Sequence, residues 1–144
     1  MKGGNEMKKN IFLVLLSVGL IISIFFNNSL FHKYSYLHEQ LEFDYTQSLS
    51  YCIEALSPSS PGQNDYDQFL VNLYNTSSSL SHIDVGDNNQ THIALYNIYK
   101  RLTDYNDGFE FYKTNKNILH KTLINLKDEP GNKNSINTLI NIVK

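Results

Sequence analysis

His38 and Glu42 lie four residues apart, which places both side chains on the same face of a helix. The segment from His38 to Glu42 begins like the zinc-protease pattern HExxH, in which two histidines bind the metal and the glutamate acts as a base. Glu42 stands where the second histidine is needed, and the sequence marks out no third ligand. A solvated helix pair is the favoured interpretation, and we expect neither a metal nor another cofactor.

A cluster with two aspartates, from Asp104 to Gly108, begins like a calcium-binding EF-hand loop. Gly108 comes one residue too early, and Asn115 stands at the twelfth position, where the loop needs a glutamate. The cluster instead contains residue types that cap helices and form turns. We therefore predict a capping turn here and a similar turn from Asp84 to Asn89.

The other candidates for catalysis are one cysteine, five histidines and many serines. Cys52 falls on an apolar helical stripe, and no basic residue is close in sequence to lower its pKa. The histidines show no ligand-like spacing, and no serine lies in a Gly-x-Ser-x-Gly context. The sequence thus contains no catalytic motif, and we predict that the protein is not an enzyme.

Charge divides the chain into two halves. Residues 34–99 contain eight acids and no lysine or arginine, whereas residues 100–144 contain eight basic residues and five acids. One explanation is mutual attraction between two helical hairpins, each surface pair contributing about 0.2–1 kcal/mol. The other is an acidic face that binds a cationic partner. The net charge of −2 gives no basic surface for nucleic acid, and we expect none to bind.

The chain contains ten tyrosines and no tryptophan. Tyrosine serves both at the rim of a core and as a binding platform with a hydroxyl group. Tyr36 and Tyr51 fall off the apolar stripe of their helix. With the nearby acids Glu39, Glu42 and Asp44, they form our candidate partner surface, and scattered exposed tyrosines are the alternative.

The longest apolar stretch, residues 11–26, contains no charge. Sixteen helical residues rise about 24 Å, and continuing the helix to Phe31 reaches the roughly 30 Å of a hydrocarbon core. Lys8 and Lys9 directly precede the stretch, which favours a cytoplasmic N-terminus. We therefore predict a cytoplasmic segment at residues 1–10, a transmembrane signal-anchor helix at 11–31 and an extracytoplasmic domain at 32–144.

A cleaved secretory signal is the alternative, since it shares the basic start and the apolar core. Such a signal ends in small residues at positions −3 and −1, and residues 25–29 contain no Ala-x-Ala pattern. No cysteine precedes Cys52 to carry a lipid. We therefore favour an uncleaved anchor over a secreted protein.

Apolar residues after the anchor recur at spacings of three and four, and no segment alternates as a half-buried strand does. The first stripe contains Leu30, Tyr34, Leu37, Leu41, Tyr45, Leu49, Cys52 and Leu56. The second contains Tyr66, Phe69, Leu70, Leu73, Tyr74, Ser77 and Leu80, after a cap at Asn64 or Asp65. The third contains Ile93 or His92, Leu95, Tyr96, Tyr99 and Leu102, in a helix ending near Tyr105.

A fourth helix is predicted from about residue 109 to 127, and a short one from 135 to 143. All three prolines fall at the corners or ends between these segments. Short corners impose antiparallel neighbours, so the fold class is an all-α bundle of about four helices plus a short C-terminal helix. The first helix can be continuous with the anchor.

The anchor, one domain-sized external segment and the lack of a catalytic motif predict a single-pass membrane protein that binds another protein. An accessory or adaptor subunit of a cell-envelope complex is the first hypothesis. An immunity or exclusion factor directed at a toxin or a phage component is the second. The single cysteine and the abundance of Asn, Lys, Ile and Tyr favour a bacterial envelope, and the sequence does not fix the oligomeric state.

Overall fold

The computed structural model describes residues 3–83, 88–104 and 106–144, with side chains from residue 10 onward except at residue 88. Within these ranges the chain forms five α-helices and no strand. The helices are α1 (Gly3–Ala55), α2 (Gln63–His82), α3 (Asn88–Asp104), α4 (Gly108–Asp128) and α5 (Lys133–Ile142). The predicted all-α fold class is confirmed, and the predicted anchor and first bundle helix are parts of the single helix α1.

The chain divides into two units, Met1–His38 and Glu39–Lys144. From residue 3 onward, where it is described, the first unit consists of part of α1, and its large apolar side chains from Ile11 to Leu37 are 45–76% exposed. The second unit contains the rest of α1 and the four shorter helices. Burial of apolar surface therefore stabilises the second unit alone.

The core of the second unit is built from one stripe on each helix. Its buried apolar residues are Tyr45, Leu49, Cys52, Ala55 and Leu56 from α1 and its end, Tyr66, Phe69, Leu73, Leu80 and Ile83 from α2 and its end, Ala94, Leu95, Ile98 and Leu102 from α3, Tyr112, Leu119, Leu123 and Leu126 from α4, and Ile136 and Leu139 from α5. Spacings of three and four bring these residues to one face of each helix.

The predicted α1 stripe is buried only from Tyr45 onward. Leu30, Tyr34 and Leu37 belong to the first unit and are exposed, because no second helix covers them among the described residues of that unit. The prediction that they pack in the bundle was wrong.

The predicted α3 stripe was wrong in part, since Leu95 and Leu102 are buried as predicted but other members are not. Ile93 and Tyr96 are 49% and 45% exposed, whereas Ala94 and Ile98 are buried. A small residue such as Ala94 allows close approach of a neighbouring helix, and its side chain gives little signal in a periodicity based on large apolar residues.

The helix ends follow capping chemistry with small shifts from prediction. Asp65 lies inside α2, where its Oδ2 accepts a hydrogen bond of 2.8 Å from the backbone N–H of Gly62, the N-cap residue. Asn132 caps α5, with its Oδ1 accepting from the Ser135 N–H at 3.0 Å. The predicted turn at 84–89 falls mainly on residues 84–87, which lie outside the described residues, as does Tyr105 at the predicted end of the third helix.

Candidate functional site: membrane anchor and partner surface

The apolar part of α1 is the most distinctive feature of the first unit. This helix contains a stretch long and apolar enough to cross a membrane, and none of that stretch is buried. A signal sequence near an N-terminus has the same length and composition. The chain therefore has an N-terminal apolar helix that is compatible with membrane anchoring.

Ser17 is a polar residue within this apolar stretch. Its hydroxyl donates a hydrogen bond of 2.8 Å to the carbonyl oxygen of Leu13, one helical turn earlier. A lone hydroxyl is costly in hydrocarbon, where no water replaces a missing partner. The helix thus provides the hydrogen bond internally, and Ser17 does not argue against a lipid environment.

The five residues of the candidate partner surface do not belong to one unit. Tyr36 lies in the first unit and is 65% exposed. Glu39, Glu42, Asp44 and Tyr51 lie on the part of α1 that belongs to the second unit. A surface within a single unit is therefore limited to these last four residues.

These four residues are accessible to different degrees. Glu39, Glu42 and Tyr51 are exposed, and Asp44 is half-buried. Asp44 Oδ1 accepts a hydrogen bond of 3.1 Å from the Gln40 side chain. The tyrosine hydroxyl of Tyr51 contacts the Gln47 amide at 3.2 Å. Both contacts span one helical turn, so they align side chains along α1.

Three buried tyrosines have a structural role. Tyr45 donates to the Leu126 carbonyl at 3.2 Å, Tyr66 to the Leu102 carbonyl at 2.9 Å, and Tyr112 to the Ala55 carbonyl at 2.6 Å. Each acceptor lies in the last turn of a helix, where backbone carbonyls have no helical partner. These tyrosines therefore close the C-terminal ends of α1, α3 and α4.

Burial keeps these hydroxyls protonated. Desolvation raises the pKa of Tyr112 to about 12 and also raises the pKa values of Tyr45 and Tyr66. A neutral phenol is the form that donates a hydrogen bond. All three bonds therefore persist across the physiological pH range.

An exposed aromatic group that the sequence did not single out lies on α2 and α3. Tyr74 is 50% exposed and its ring centroid is 5.4 Å from that of the half-buried Tyr99. Tyr96, 45% exposed, lies 6.3 Å from Tyr99 and stacks on His92 at 6.3 Å. We call Tyr74, His92, Tyr96 and Tyr99 the tyrosine patch.

His92 is fixed at the edge of this patch. Its Nδ1 lies 2.8 Å from the carbonyl oxygen and 3.1 Å from the hydroxyl of Ser77 on α2. The patch was missed because its three tyrosines were assigned to buried stripes. The spacing of His92, Tyr96 and Tyr99, four and then three residues, is the signal that identifies a shared helix face.

Three ion pairs are local contacts within the basic half. Lys100 pairs with Asp104 at 3.9 Å, and Lys113 pairs with Glu110. Arg101 holds Asp107 through two bonds of 2.8 and 2.9 Å, and its guanidinium lies 4.6 Å from the Phe111 ring centroid. These three pairs stabilise α3 and α4 rather than join the acidic half to the basic half.

The Arg101–Asp107 pair lies at the corner between α3 and α4. Hydrogen bonding to Arg101 lowers the pKa of Asp107 below its ordinary value. Asp107 is also the N-cap residue of α4, although its side chain does not cap the helix. α3 therefore ends at Asp104 and α4 begins at Gly108, as predicted for two helices that meet at the cluster of residues 104–108.

Cys52 lies in the core with 0% exposure. Its sulfur is 3.9 Å from the Phe69 carbonyl oxygen and from the Thr76 hydroxyl. Burial raises the pKa of the thiol to about 12, so the reactive thiolate is strongly disfavoured. Among the described residues, no group of three or more His, Cys, Asp or Glu side chains is placed to hold a metal ion.

Comparisons with protein-family models, with curated proteins and with solved structures gave no match.

Proposed function

We propose that this protein is a single-pass, membrane-anchored adaptor whose external helical bundle binds another protein of a bacterial cell envelope. The observation that carries the proposal is the exposed apolar segment of the first unit, in a chain whose second unit has a core of its own. The first unit needs an apolar environment, and the second needs only water.

The bilayer is the environment that fits the first unit. Fully burying one large apolar side chain contributes about 1.5–3 kcal/mol, and every large apolar side chain from Ile11 to Leu37 is at least 45% exposed. Lys8 and Lys9 precede this segment, so the positive-inside rule supports a cytoplasmic N-terminus and an external second unit.

Several observations support binding rather than catalysis. Cys52 is protonated and buried, and the Lys100–Asp104 and Lys113–Glu110 pairs are exposed, local contacts. The surface, by contrast, displays large side chains suited to recognition, because tyrosine combines a broad apolar ring with a hydroxyl group. Two surfaces on the second unit are candidates: the acids of α1 with Tyr51, and the tyrosine patch.

Site-specific photocrosslinking in intact cells tests the proposal. The full-length protein carries p-benzoylphenylalanine at Tyr96, in the tyrosine patch, or at Glu42, on the acidic surface. A matched control carries it at Lys127, which is exposed at the far end of α4. We expect one envelope protein to be captured from Tyr96 or Glu42 and not from Lys127. Equal capture from all three positions, or capture from none, contradicts the adaptor role.

The identity of the captured protein separates the two functional hypotheses. A transporter, kinase or secretion component supports the adaptor role. A toxin or a phage component indicates an immunity or exclusion factor instead.

Neutralising the acidic surface shows whether its charge is used for docking. The variant combines Glu39→Gln, Glu42→Gln and Asp44→Asn. If these acids dock the partner, the melting temperature stays almost unchanged and capture from Tyr96 falls, because association is less steered. If they attract the basic half, the melting temperature falls modestly and capture survives. No change in either quantity contradicts both explanations.

A further inference from the structure

The first unit carries a seam of residues along one face of α1. Ser23, Asn27, Leu30, Tyr34 and Leu37 follow one another at steps of four, three, four and three. This is the spacing of the a and d positions of a coiled coil, with Asn27 and Tyr34 at a and the other three at d. Leu30, Tyr34 and Leu37 are 51%, 70% and 45% exposed. The chain itself therefore leaves the apolar part of the seam uncovered.

The same face continues into the apolar stretch. Gly19 precedes Ser23 by one turn and, at about 100° per residue, lies within roughly 80° of the other seam residues. A Cβ added at Gly19 would meet nothing within 4 Å. Two small residues separated by three positions allow a second helix to approach closely within a membrane.

We propose that a second copy of this chain covers the seam, so that two α1 helices form a parallel, two-stranded coiled coil that begins within the membrane and continues beyond it. The inference rests on the proposed membrane anchor. An anchor holds every copy in the same orientation and at the same depth, so each seam residue meets its own counterpart across a two-fold axis.

Asn27 favours a second copy of the chain, rather than lipid, as the group that covers the seam. An asparagine at a single a position pairs with its counterpart and specifies a two-stranded parallel coiled coil in register. Charge permits the pairing, because Lys33 is the one lysine, arginine or acid between residues 10 and 37. Two copies therefore meet with a single like-charge position beside the seam.

The area of the seam is too small for a stable dimer in solution, so the dimer is expected to form only between copies held in the same membrane. Leu30, Tyr34 and Leu37 together bury on the order of 300 Å² per copy, below the roughly 800 Å² per partner of a standard soluble interface. The contact from Gly19 to Leu37 extends along roughly 27 Å of helix. Confinement to one membrane also raises the effective concentration of the two copies.

Cysteine crosslinking in membranes tests the seam directly. Leu30→Cys and Leu37→Cys place thiols on the seam, and Ser29→Cys and Tyr36→Cys place them at the same seven-residue spacing on the outer face. The wild-type chain is the blank, because its one cysteine is buried. After mild copper-catalysed oxidation of membranes, we expect at least fivefold more disulfide-linked dimer from the seam pair than from the outer pair.

Each other outcome has a distinct meaning. Protein that remains in the membrane but forms no dimer, or forms it equally at all four positions, overturns the seam and leaves the anchor standing. Lipid or a different helix then covers this face. Protein that fractionates as soluble overturns the anchor and the dimer together. Adding Gly19→Leu to Leu30→Cys provides a second test, and unchanged dimer yield there contradicts close approach at Gly19.

Discussion

The hydroxyl of Tyr112 on α4 donates a hydrogen bond of 2.6 Å to the carbonyl oxygen of Ala55, the last residue of α1. Tyr112 is 0% exposed and Ala55 is 4% exposed. The carbonyl has no partner within its own helix, and water has little access to it. The bond therefore fixes the end of α1 against α4.

Replacing Tyr112 by Phe keeps the ring and removes this bond. We expect Tyr112→Phe to lower the free energy of unfolding by about 1–2 kcal/mol, because a buried carbonyl is left without a donor. Chemical unfolding followed by circular dichroism measures the change. Tyr96→Phe is the control, since Tyr96 is 45% exposed, and equal effects of the two variants contradict the structural role of Tyr112.

Gly108 is required by close approach at the α3–α4 corner. A Cβ at this position would lie 2.0 Å from the Leu102 carbonyl oxygen and 2.6 Å from the Tyr66 hydroxyl. Gly108→Ala must therefore displace backbone, and we expect a loss of roughly 1–3 kcal/mol in the free energy of unfolding.

The matched control for this change is Gly62→Ala. There the nearest atom to an added Cβ is Asp65 Oδ2 at 3.7 Å, an ordinary contact. We expect a loss under about 1 kcal/mol, from weaker capping alone. A Gly108→Ala protein as stable as Gly62→Ala would show that the corner tolerates a side chain.

The Arg101–Asp107 pair gives the corner a pH dependence. Because Arg101 lowers the folded-state pKa of Asp107, the pair stabilises the fold above the ordinary value of 3.8 and loses its effect as pH falls through the lowered pKa. We expect the melting temperature of wild type to exceed that of Asp107→Asn at pH 7. This gap in melting temperature should disappear below about pH 4. Asp104→Asn is the control, because the Lys100–Asp104 pair is longer, at 3.9 Å. A gap for Asp107→Asn that stays constant with pH contradicts this assignment.

The second unit is expected to fold without the first. Every buried apolar residue of the core lies at position 45 or later. A fragment of residues 39–144 should therefore be soluble and strongly helical by circular dichroism, and should unfold in a single transition. The control is a fragment that begins at Cys52, which lacks Tyr45 and Leu49. Equal stability of the two fragments would show that α1 contributes little to the core.

The proposed orientation predicts where Lys133 lies. Lys133→Cys introduces an exposed thiol at the start of α5, whereas the native Cys52 is buried in the core. A membrane-impermeant maleimide should label Lys133→Cys in whole cells, with wild type as the blank. Labelling that requires lysis, while the protein is in the membrane fraction, reverses the orientation.

Periodicity in the sequence predicted the helices well because each has a stripe of large apolar residues. Phe69 and Leu73 on α2, and Leu119 and Leu123 on α4, are buried as their spacing indicates. Prolines and glycines at the corners also ended helices close to the predicted positions.

Periodicity could not say which stripes find a partner. Leu37 and Leu49 are both leucines on the same stripe of α1, yet Leu37 is 45% exposed and Leu49 is fully buried. The difference lies in whether another helix packs there, which depends on the tertiary fold. The tyrosine patch was missed for the same reason, since a tyrosine on a stripe packs inward only where a neighbouring helix covers it.

The complete burial of Cys52 also makes the native thiol a probe of how often the core opens. A maleimide reaches this sulfur only when α1 separates from α2 for long enough to admit the reagent, so the labelling rate follows the population of such open states. Because the chain has no other cysteine, that rate is readable in a crude membrane preparation without any substitution. A bound partner that stabilises the closed bundle would lower the labelling rate of Cys52, and one that favours open states would raise it.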